Sequence, residues 1–462
     1  MLGLGLRLRV FLFFAFLALG SAVVILAAGY AGFLRSAEHG TAAGQILTVV
    51  LALLCVTGLV TGVWLLFDDH VARPIETLSA ALRARAHGGV RTGIDAGLAR
   101  YLGDLAPAAD AVSQALSETT SEQTRRLQDQ TADLRAQSDR LAEILSGIPT
   151  ATVLLDSTGH ILLYDQQAAQ HLSQHGAPRL GAPINDYFGP TLTKTLRQVR
   201  ASGYATPIVL DNQLEGRLTP LSDGSVLLTL PAVALDHDHH APRPLVWDFD
   251  LTPAHPASGL LNTALDRLIW LVFDTETTGL LPHRDDIVQI GALRIVNLRP
   301  LPGEELDTFV NPGRPIPARA TEVHRITDAM VSDAPPLGEA AHALHMLARD
   351  AVIVAHNAPF DMAFLHRHAQ QSGLAWDHPV VDTVLVSAIL FGTSVPHTLD
   401  AICDRLDITI PPQDRHSAMG DARATATALI RMVPMLKARG IVTLADLLDQ
   451  TRRHGRLLKD LN

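Results

Sequence analysis

Hydrophobic and polar positions divide the chain into an apolar N-terminal part and a longer part with mixed helix and strand signals. An uncharged apolar run covers residues 10–34, and a second covers about 46–67. Both exceed the roughly 20 residues that span a bilayer, so the pattern predicts a two-helix transmembrane anchor over residues 1–70. A cleavable signal peptide is the alternative for the first run, because Arg7 and Arg9 precede it.

Basic residues give this anchor a predicted orientation. Arginines precede the first run, and Arg73, Arg83 and Arg85 follow the second. The positive-inside rule then places both ends of the anchor on the cytoplasmic side. The predicted localisation is the bacterial inner membrane, as a multi-pass protein whose soluble domains face the cytoplasm.

Helical patterns follow the apolar part. Residues 71–120 form two short amphipathic stretches around a glycine break and resemble a HAMP-like signalling linker; a generic helical hairpin is the alternative. Residues 121–140 predict a coiled coil, because Leu127, Leu134 and Leu141 recur every seven residues. This coiled coil predicts a homodimer.

Strand and turn signals appear next, over residues 141–235. A strand ends near Asp156, an Asp-Ser-Thr-Gly turn leads into a second strand, and a closing hairpin turns at residues 222–224. The segment resembles the sensor domains of the PAS class, so we expect a PAS-like α+β domain. Residues 236–265 begin with the tract Asp236-His-Asp-His-His240; a linker is predicted there, and a metal site is the alternative.

Composition adds two constraints. Cys55 and Cys403 are the only cysteines in the sequence, and their positions argue against a structural disulfide. The net charge of −10 gives no overall attraction for nucleic acid, so a polyanionic substrate would need bound cations and local basic groups.

The pattern changes again near residue 268. Apolar runs at 269–273, 287–296 and 351–355 alternate with helical stretches, which predicts an α/β layered domain over residues 266–440. The segment 441–462 is locally basic. Steering of nucleic acid and a solvated helix end are the two interpretations of this basic C-terminal tail.

Four carboxylates and one histidine carry the candidate chemistry of this α/β region: Asp274, Glu276, Asp361, His416 and Asp421. Asp274 and Glu276 are two residues apart on a predicted strand, so their side chains project to one face. Repeated acidic groups in one place are unfavourable unless divalent cations neutralise them. The set therefore predicts a metal site.

The motifs that hold these residues are 274–279 (Asp-Thr-Glu-Thr-Thr-Gly), 357–361 (Asn-Ala-Pro-Phe-Asp) and 416–421 (His-Ser-Ala-Met-Gly-Asp). In this order they resemble the DEDDh 3′-5′ exonuclease family, and most of all the epsilon proofreading subunits of bacterial DNA polymerase III. The resemblance covers about 268–436. It implies an RNase H-like fold, two Mg²⁺ or Mn²⁺ ions per active site held by the four carboxylates, and His416 as general base.

The substrate assignments follow from the same comparison. Thr277 and Thr278 are expected to receive the terminal nucleotide, and Leu280 and Phe360 to serve as stacking or wedge surfaces. The predicted fold class is multidomain: two transmembrane helices, a helical linker and coiled coil, a PAS-like α+β domain and a C-terminal α/β RNase H-like exonuclease domain.

Two functional hypotheses result. The first is a membrane-anchored 3′-5′ exonuclease that acts on nucleic acid with a free 3′ end, DNA in preference to RNA, under the control of the N-terminal region. The second is a signalling or scaffold protein whose exonuclease-like domain binds nucleic acid or nucleotides without turnover.

Overall fold

The computed structural model describes residues 6–36, 42–88, 108, 111, 150–210, 214–232, 246–248, 259–455 and 457–462. Two units are distinguished, one formed by residues 1–86 and 91–119 and the other by residues 87–90 and 120–462. The predicted coiled coil with Leu127, Leu134 and Leu141 lies outside the described residues, as does the histidine-rich tract. The homodimer therefore stays a prediction.

The first unit is helical. Its helices are Leu6–Ser36, Ala42–Phe67 and Arg73–Gly88, and a π-helical turn, Asp68–Ala72, precedes the third. The rings of Phe11 and Trp64 meet edge to face with centroids 5.6 Å apart, so the first two helices pack against each other. The helix Arg73–Gly88 covers the start of the predicted HAMP-like segment, whose assignment stays a prediction.

The transmembrane prediction is corrected by the structure. Among the described residues, no helix combines the length and the apolar character that a bilayer crossing requires. The predicted two-helix transmembrane anchor over residues 1–70 and the predicted inner-membrane localisation are therefore wrong. The prediction of the membrane as a partner is not supported.

The first described part of the second unit is a six-stranded antiparallel sheet. Its strands are β1 Thr150–Leu155, β2 Ile161–Tyr164, β3 Thr206–Val209, β4 Glu215–Pro220, β5 Val226–Pro231 and β6 Val246–Trp247. Their order in the sheet is β3-β4-β5-β1-β2-β6. Its helices are Gln166–Ser173, Asn185–Phe188 and Thr191–Ser202. We call residues 150–248 the first sheet domain.

Alternating polar and apolar positions explain this sheet. Strand β1 alternates between partly exposed and buried residues, which is the pattern of a strand with one face on a core. The expected strand pair and the closing hairpin are both present, as β1 with β2 and β4 with β5. Strand β6 falls in the segment predicted as a linker. The PAS-class assignment stays a prediction.

A five-stranded sheet follows. Its strands are β7 Trp270–Thr277, β8 Ile287–Val296, β9 Arg299–Phe309, β10 Val352–Ala355 and β11 Val380–Asp382, and their order in the sheet is β11-β10-β7-β8-β9. A 3₁₀ turn, Leu260–Asn262, precedes them, and the helices are Ala318–His324, Asp328–Val331, Leu337–Ala348, Ala358–Ser372, Thr383–Phe391, Leu399–Arg405, Ala418–Lys437 and Leu444–Arg453. We call residues 259–462 the second sheet domain, and its α/β layering confirms the sequence prediction.

The apolar runs account for the central strands of this sheet. Strand β7 pairs antiparallel with β8 on one side and parallel with β10 on the other. The first four residues of β7 and all residues of β8 and β10 are buried. Continuous burial of this kind is typical of strands that are covered on both faces.

The basic C-terminal segment is folded onto this domain. Helix Leu444–Arg453 opens with a capping box between Thr443 and Asp446. At the chain end, the Asn462 side chain donates to the Val380 carbonyl at 2.6 Å and accepts from the Val380 amide at 2.9 Å. The end of the chain therefore satisfies backbone groups at the β11 edge.

A buried ion pair joins the two sheet domains. Nε of Arg294 on β8 lies 2.8 Å from Oε2 of Glu304 on β9. From the first sheet domain, the Tyr164 hydroxyl and the Leu180 amide donate to Glu304 Oε1 at 3.0 and 2.5 Å. The Arg294 guanidinium also donates to the Leu180 and Leu347 carbonyls. Both buried charges thus have partners from more than one element.

Apolar packing extends across the same junction. Val296 at the end of β8 and Leu301 in β9 belong to the core cluster of the first sheet domain, and Ala177 of that domain packs against the core of the second. The two sheet domains therefore share buried surface, and a cut between them would expose it.

We predict that Glu304→Ala lowers the free energy of unfolding by about 3–5 kcal/mol, because it leaves the Arg294 guanidinium buried without its counter-charge. The midpoint of urea unfolding of the full chain measures this. The adjacent Glu305→Ala is the matched control: Glu305 pairs with Arg423 at 2.8 Å where solvent screens both groups, and about 0–1 kcal/mol is expected. Equal losses in the two variants would contradict the role given to the buried pair.

Candidate active site

Two acidic side chains extend from one face of the central strand. Asp274 and Glu276 occupy the second half of β7, where burial alternates and both residues are partly buried. They lie opposite Gly291 and Gln289 of β8 in the antiparallel register. Because directly opposite residues share a face, the two carboxylates and these two β8 positions line the same surface of the sheet.

The helix Ala418–Lys437 covers that surface and brings in a third carboxylate. It packs on β7 and β8, and a Cβ at Gly291 would lie only 2.2 Å from the Met419 amide nitrogen. Only glycine allows this close approach. Asp421 lies in the first turn of the helix, and ligand oxygens of Asp274, Glu276 and Asp421 all lie within 4.8 Å of one another.

The start of this helix is fixed locally. The Ser417 hydroxyl accepts from the Gly420 amide at 3.1 Å and donates to the Asp414 carbonyl at 2.8 Å. A Cβ at Gly420 would lie 1.9 Å from that carbonyl oxygen. The loop before the helix therefore folds tightly over the first turn, which holds Asp421 in place.

Asp361 is positioned by a different helix. Ala358–Ser372 begins directly after β10, and the Asp382 carboxylate accepts from the Ala358 amide at 2.7 Å. Asp361 itself is buried, and its Oδ1 accepts from the amide and the hydroxyl of Thr275 at 3.1 and 2.5 Å. Asp361 is outside the group of three ligands that lie within 4.8 Å of one another.

The electrostatics of the site disfavour charge on every one of these carboxylates. Burial, followed by the charges of Asp361, Asp421 and Glu276, raises the pKa of Asp274 well above its usual range. Burial and the charges of Asp421 and Asp361 raise the pKa of Glu276 to about 8. Burial raises the pKa of Asp361 to about 7 against the opposing Thr275 hydrogen bonds, and raises that of Asp421 to about 6.

This arrangement fits a divalent cation. The donor set consists of carboxylate oxygens, which hard cations such as Mg²⁺ and Mn²⁺ prefer. Carboxylates that repel each other in a partly buried place gain most from a nearby positive charge. Asp274, Glu276 and Asp421 are the residues that would hold such an ion, with Asp361 beside them.

His416 lies just outside the acidic group. It is exposed, and its φ of 57° places it in the left-handed region directly before the Ser417 cap. Its charge lowers the pKa of Asp421, against the larger effect of burial. The imidazole is therefore close enough to Asp421 to interact with it while remaining open to solvent.

The four predicted substrate residues differ in exposure. The Thr277 hydroxyl donates to the Gly279 carbonyl, and the Thr278 hydroxyl accepts from Arg314 at 2.8 Å. Both threonines are buried, whereas the Leu280 side chain is 80% exposed. Phe360 is partly buried and meets Phe364 edge to face at 5.2 Å.

Sequence reasoning assigned no structural role to several residues that organise the site, namely Thr275, Gln289, Gly291 and Asp382. Two of them carried a signal in the sequence: Gln289 and Gly291 interrupt the apolar run at the start of β8. A polar residue and a glycine in such a strand indicate a special contact. Thr275 lies inside the 274–279 motif, but its contact with Asp361 had no local signal, and neither had the contact of Asp382 with the Ala358 amide, because the partners are distant in sequence.

Sequence comparison relates the chain to DNA-processing proteins. A model of the exonuclease family RNase_T matches residues 271–429. The DNA polymerase III subunit epsilon-like protein of Rhodobacter capsulatus is 31% identical, over 99% of this chain and 99% of that protein. The PolC-type DNA polymerase III of Caldanaerobacter subterraneus subsp. tengcongensis is 35% identical, over 38% of this chain and 12% of its own length.

Two solved structures are also similar. Exonuclease X in complex with 5′ overhanging duplex DNA has 25% sequence identity and a TM-score of 0.30, and the match covers 39% of this chain and 99% of that one. E. coli exonuclease I in complex with a dT13 oligonucleotide has 20% identity and a TM-score of 0.33, over 37% of this chain and 42% of that one.

The raised pKa values predict how the stability of the metal-free protein depends on pH. Because the pKa values are raised in the folded state, the protonated carboxylates favour the folded protein. Their contribution to the free energy of unfolding is fully present below the unfolded pKa values of about 4. It is lost as the pH rises through the folded values of about 6 to 8. We expect Glu276→Gln to melt at a higher temperature than the wild type at about pH 8.5, and the difference to shrink towards about pH 5.

Thermal melting in a chelator, repeated with Mg²⁺, measures this effect. Mg²⁺ should raise the melting temperature of the wild type more than that of Glu276→Gln, and Glu305→Gln is the control for loss of an exposed carboxylate. Parallel melting profiles of wild type and Glu276→Gln over the whole pH range would contradict the electrostatic account.

Proposed function

Because the chain belongs to the family of DNA polymerase III subunit epsilon-like proteins and matches the exonuclease model over residues 271–429, we propose that it removes nucleotides from the 3′ ends of single-stranded DNA or short oligonucleotides. As a member of this family the protein is a nuclease. The 3′-5′ direction, the DNA preference and the use of two Mg²⁺ or Mn²⁺ ions are the proposed parts. The observation that carries the proposal is the convergence of Asp274, Glu276 and Asp421 within 4.8 Å.

The residues of the site have separate roles in this proposal. Asp274, Glu276 and Asp421 would hold a cation, and Asp361, oriented by Thr275, would contribute to a second position. Bound divalent cations supply activation of water and neutralise negative charge at the scissile phosphate. His416 accepts the proton of the attacking water, since its imidazole is exposed at the start of the helix that carries Asp421 and imidazole is the side chain most often used as a general base.

The exposed loop after β7 offers a surface for the terminal base. Leu280 and Leu281 are 80% and 46% exposed, directly after the strand that carries Asp274 and Glu276. Behind them, Arg314 and Arg367 both pair with Asp286, at 2.7 and 2.6 Å, which braces the loop. We propose that Leu280 and Phe360 contact the last base, while Thr277 and Thr278 shape the loop and offer backbone groups to the nucleotide.

The full chain with Mg²⁺, and separately with Mn²⁺, tests the proposal on single-stranded DNA, RNA and duplex DNA labelled at the 5′ end. We expect a ladder of products that shorten from the 3′ end, fastest on single-stranded DNA. Asp274→Asn and Asp421→Asn should lose nearly all activity, because each removes a charged oxygen ligand, while Glu305→Gln should retain it. Wild-type protein that retains the oligonucleotide but yields no products would favour the binding or scaffold alternative.

We expect His416→Asn to lower the rate by about 10² to 10⁴, the usual scale for loss of a general base. The acidic limb of the wild-type pH-rate profile should flatten in this variant, because the group that must be deprotonated is gone. His342→Asn, which changes an exposed histidine on helix Leu337–Ala348, is the matched control. An unchanged rate and profile for His416→Asn at saturating metal would exclude His416 as the base.

A further inference from the structure

A buried glutamine connects the active-site strand to the helix that carries Asp421. Gln289, the third residue of β8, is 6% exposed. Its Oε1 accepts from the Ala418 amide at 3.2 Å, and its Nε2 donates to Asp307 Oδ1 at 2.8 Å. Ala418 is the first residue of helix Ala418–Lys437, so the glutamine satisfies an amide that has no partner within the helix.

The chemistry of these two partners selects glutamine. The Ala418 amide can only donate and the Asp307 carboxylate, when charged, can only accept, so the residue between them needs one acceptor and one donor. A glutamate would offer acceptors to both partners and place a like charge beside Asp307. A methionine would fill the same space but make neither hydrogen bond.

The position of Gln289 links these contacts to the acidic group. Gln289 lies opposite Glu276 in the β7–β8 register, and Ala418 lies two residues after His416 and three before Asp421. At Gly291, two residues along β8, the strand has no side chain and the helix backbone approaches directly. The start of the helix is therefore held to β8 by the Gln289 side chain and by the close backbone approach at Gly291, immediately beside the carboxylates.

We propose that Gln289 is a positioning residue, which fixes Asp421 and His416 relative to Asp274 and Glu276 by anchoring the first turn of their helix to β8. This proposal rests on the proposed function for its effect on hydrolysis. Its effect on cation binding does not need hydrolysis, because Asp421 is one of the three oxygen ligands whether or not a substrate is cleaved.

Binding of Mn²⁺ alone, measured by calorimetry on the full chain, is the primary test. Loss of a group that orients a metal ligand usually weakens affinity or activity by about 10- to 100-fold. We expect Gln289→Met to raise the dissociation constant for Mn²⁺ by about 10-fold or more, and to lower kcat on single-stranded DNA while KM changes little. Gln167→Met is the matched control, because Gln167 is equally buried, at 6%, in the first sheet domain; it should leave both quantities unchanged.

A second pair of variants keeps the test valid if Gln289→Met folds poorly. Gln289→Glu retains an acceptor for Ala418 but opposes Asp307, so Mn²⁺ affinity should fall. Adding Asp307→Asn supplies a side-chain amide that can donate to the carboxylate introduced at position 289, so the hydrogen bond forms with donor and acceptor exchanged. The Mn²⁺ affinity should then recover relative to Gln289→Glu alone. Wild-type Mn²⁺ affinity in Gln289→Met, or no recovery in the double variant, would overturn the proposal. Mn²⁺ binding without any hydrolysis by the wild type would instead count against the proposed function alone.

Discussion

Strand β8 buries all ten of its residues, and two of them, Gln289 and Arg294, are polar. A buried polar group is unfavourable unless it is hydrogen-bonded, so each of these side chains requires a partner from a neighbouring element. Gln289 finds the first turn of the helix that carries Asp421, and Arg294 finds Glu304 together with a carbonyl of the first sheet domain. One strand thereby places the candidate active site and the junction between the two sheet domains.

The acidic site brings together carboxylates whose charged forms are mutually unfavourable. The scaffold brings Asp274, Glu276 and Asp421 together where burial and mutual repulsion raise the pKa of each. The tight approach of Gly291 to the helix backbone forces this proximity. Sites of this kind bind cations favourably, because folding has already placed the ligands together and a cation relieves their repulsion.

The junction changes how the N-terminal half of the second unit is understood. A sensor module attached by a flexible linker would have its own closed core. Here Val296 and Leu301 from the second sheet domain complete the core of the first, and β6 adds a strand from the segment predicted as a linker. Displacement of the first sheet domain would therefore act on β8 and β9 directly.

The sequence by itself determined the α/β class of the second sheet domain, because strand periodicity is a local property, and it named five candidate residues whose roles stay a prediction. It also indicated the hairpins of the first sheet domain. Its apolar runs led to the prediction of a transmembrane anchor, which the described helices do not support. Only the tertiary structure decided that Asp361 is held by Thr275, that Asp382 caps the helix of Asp361, and that Gln289 anchors the helix of Asp421. These contacts join residues that are 24 to 129 positions apart in the chain, and no local pattern encodes a partner at such a distance.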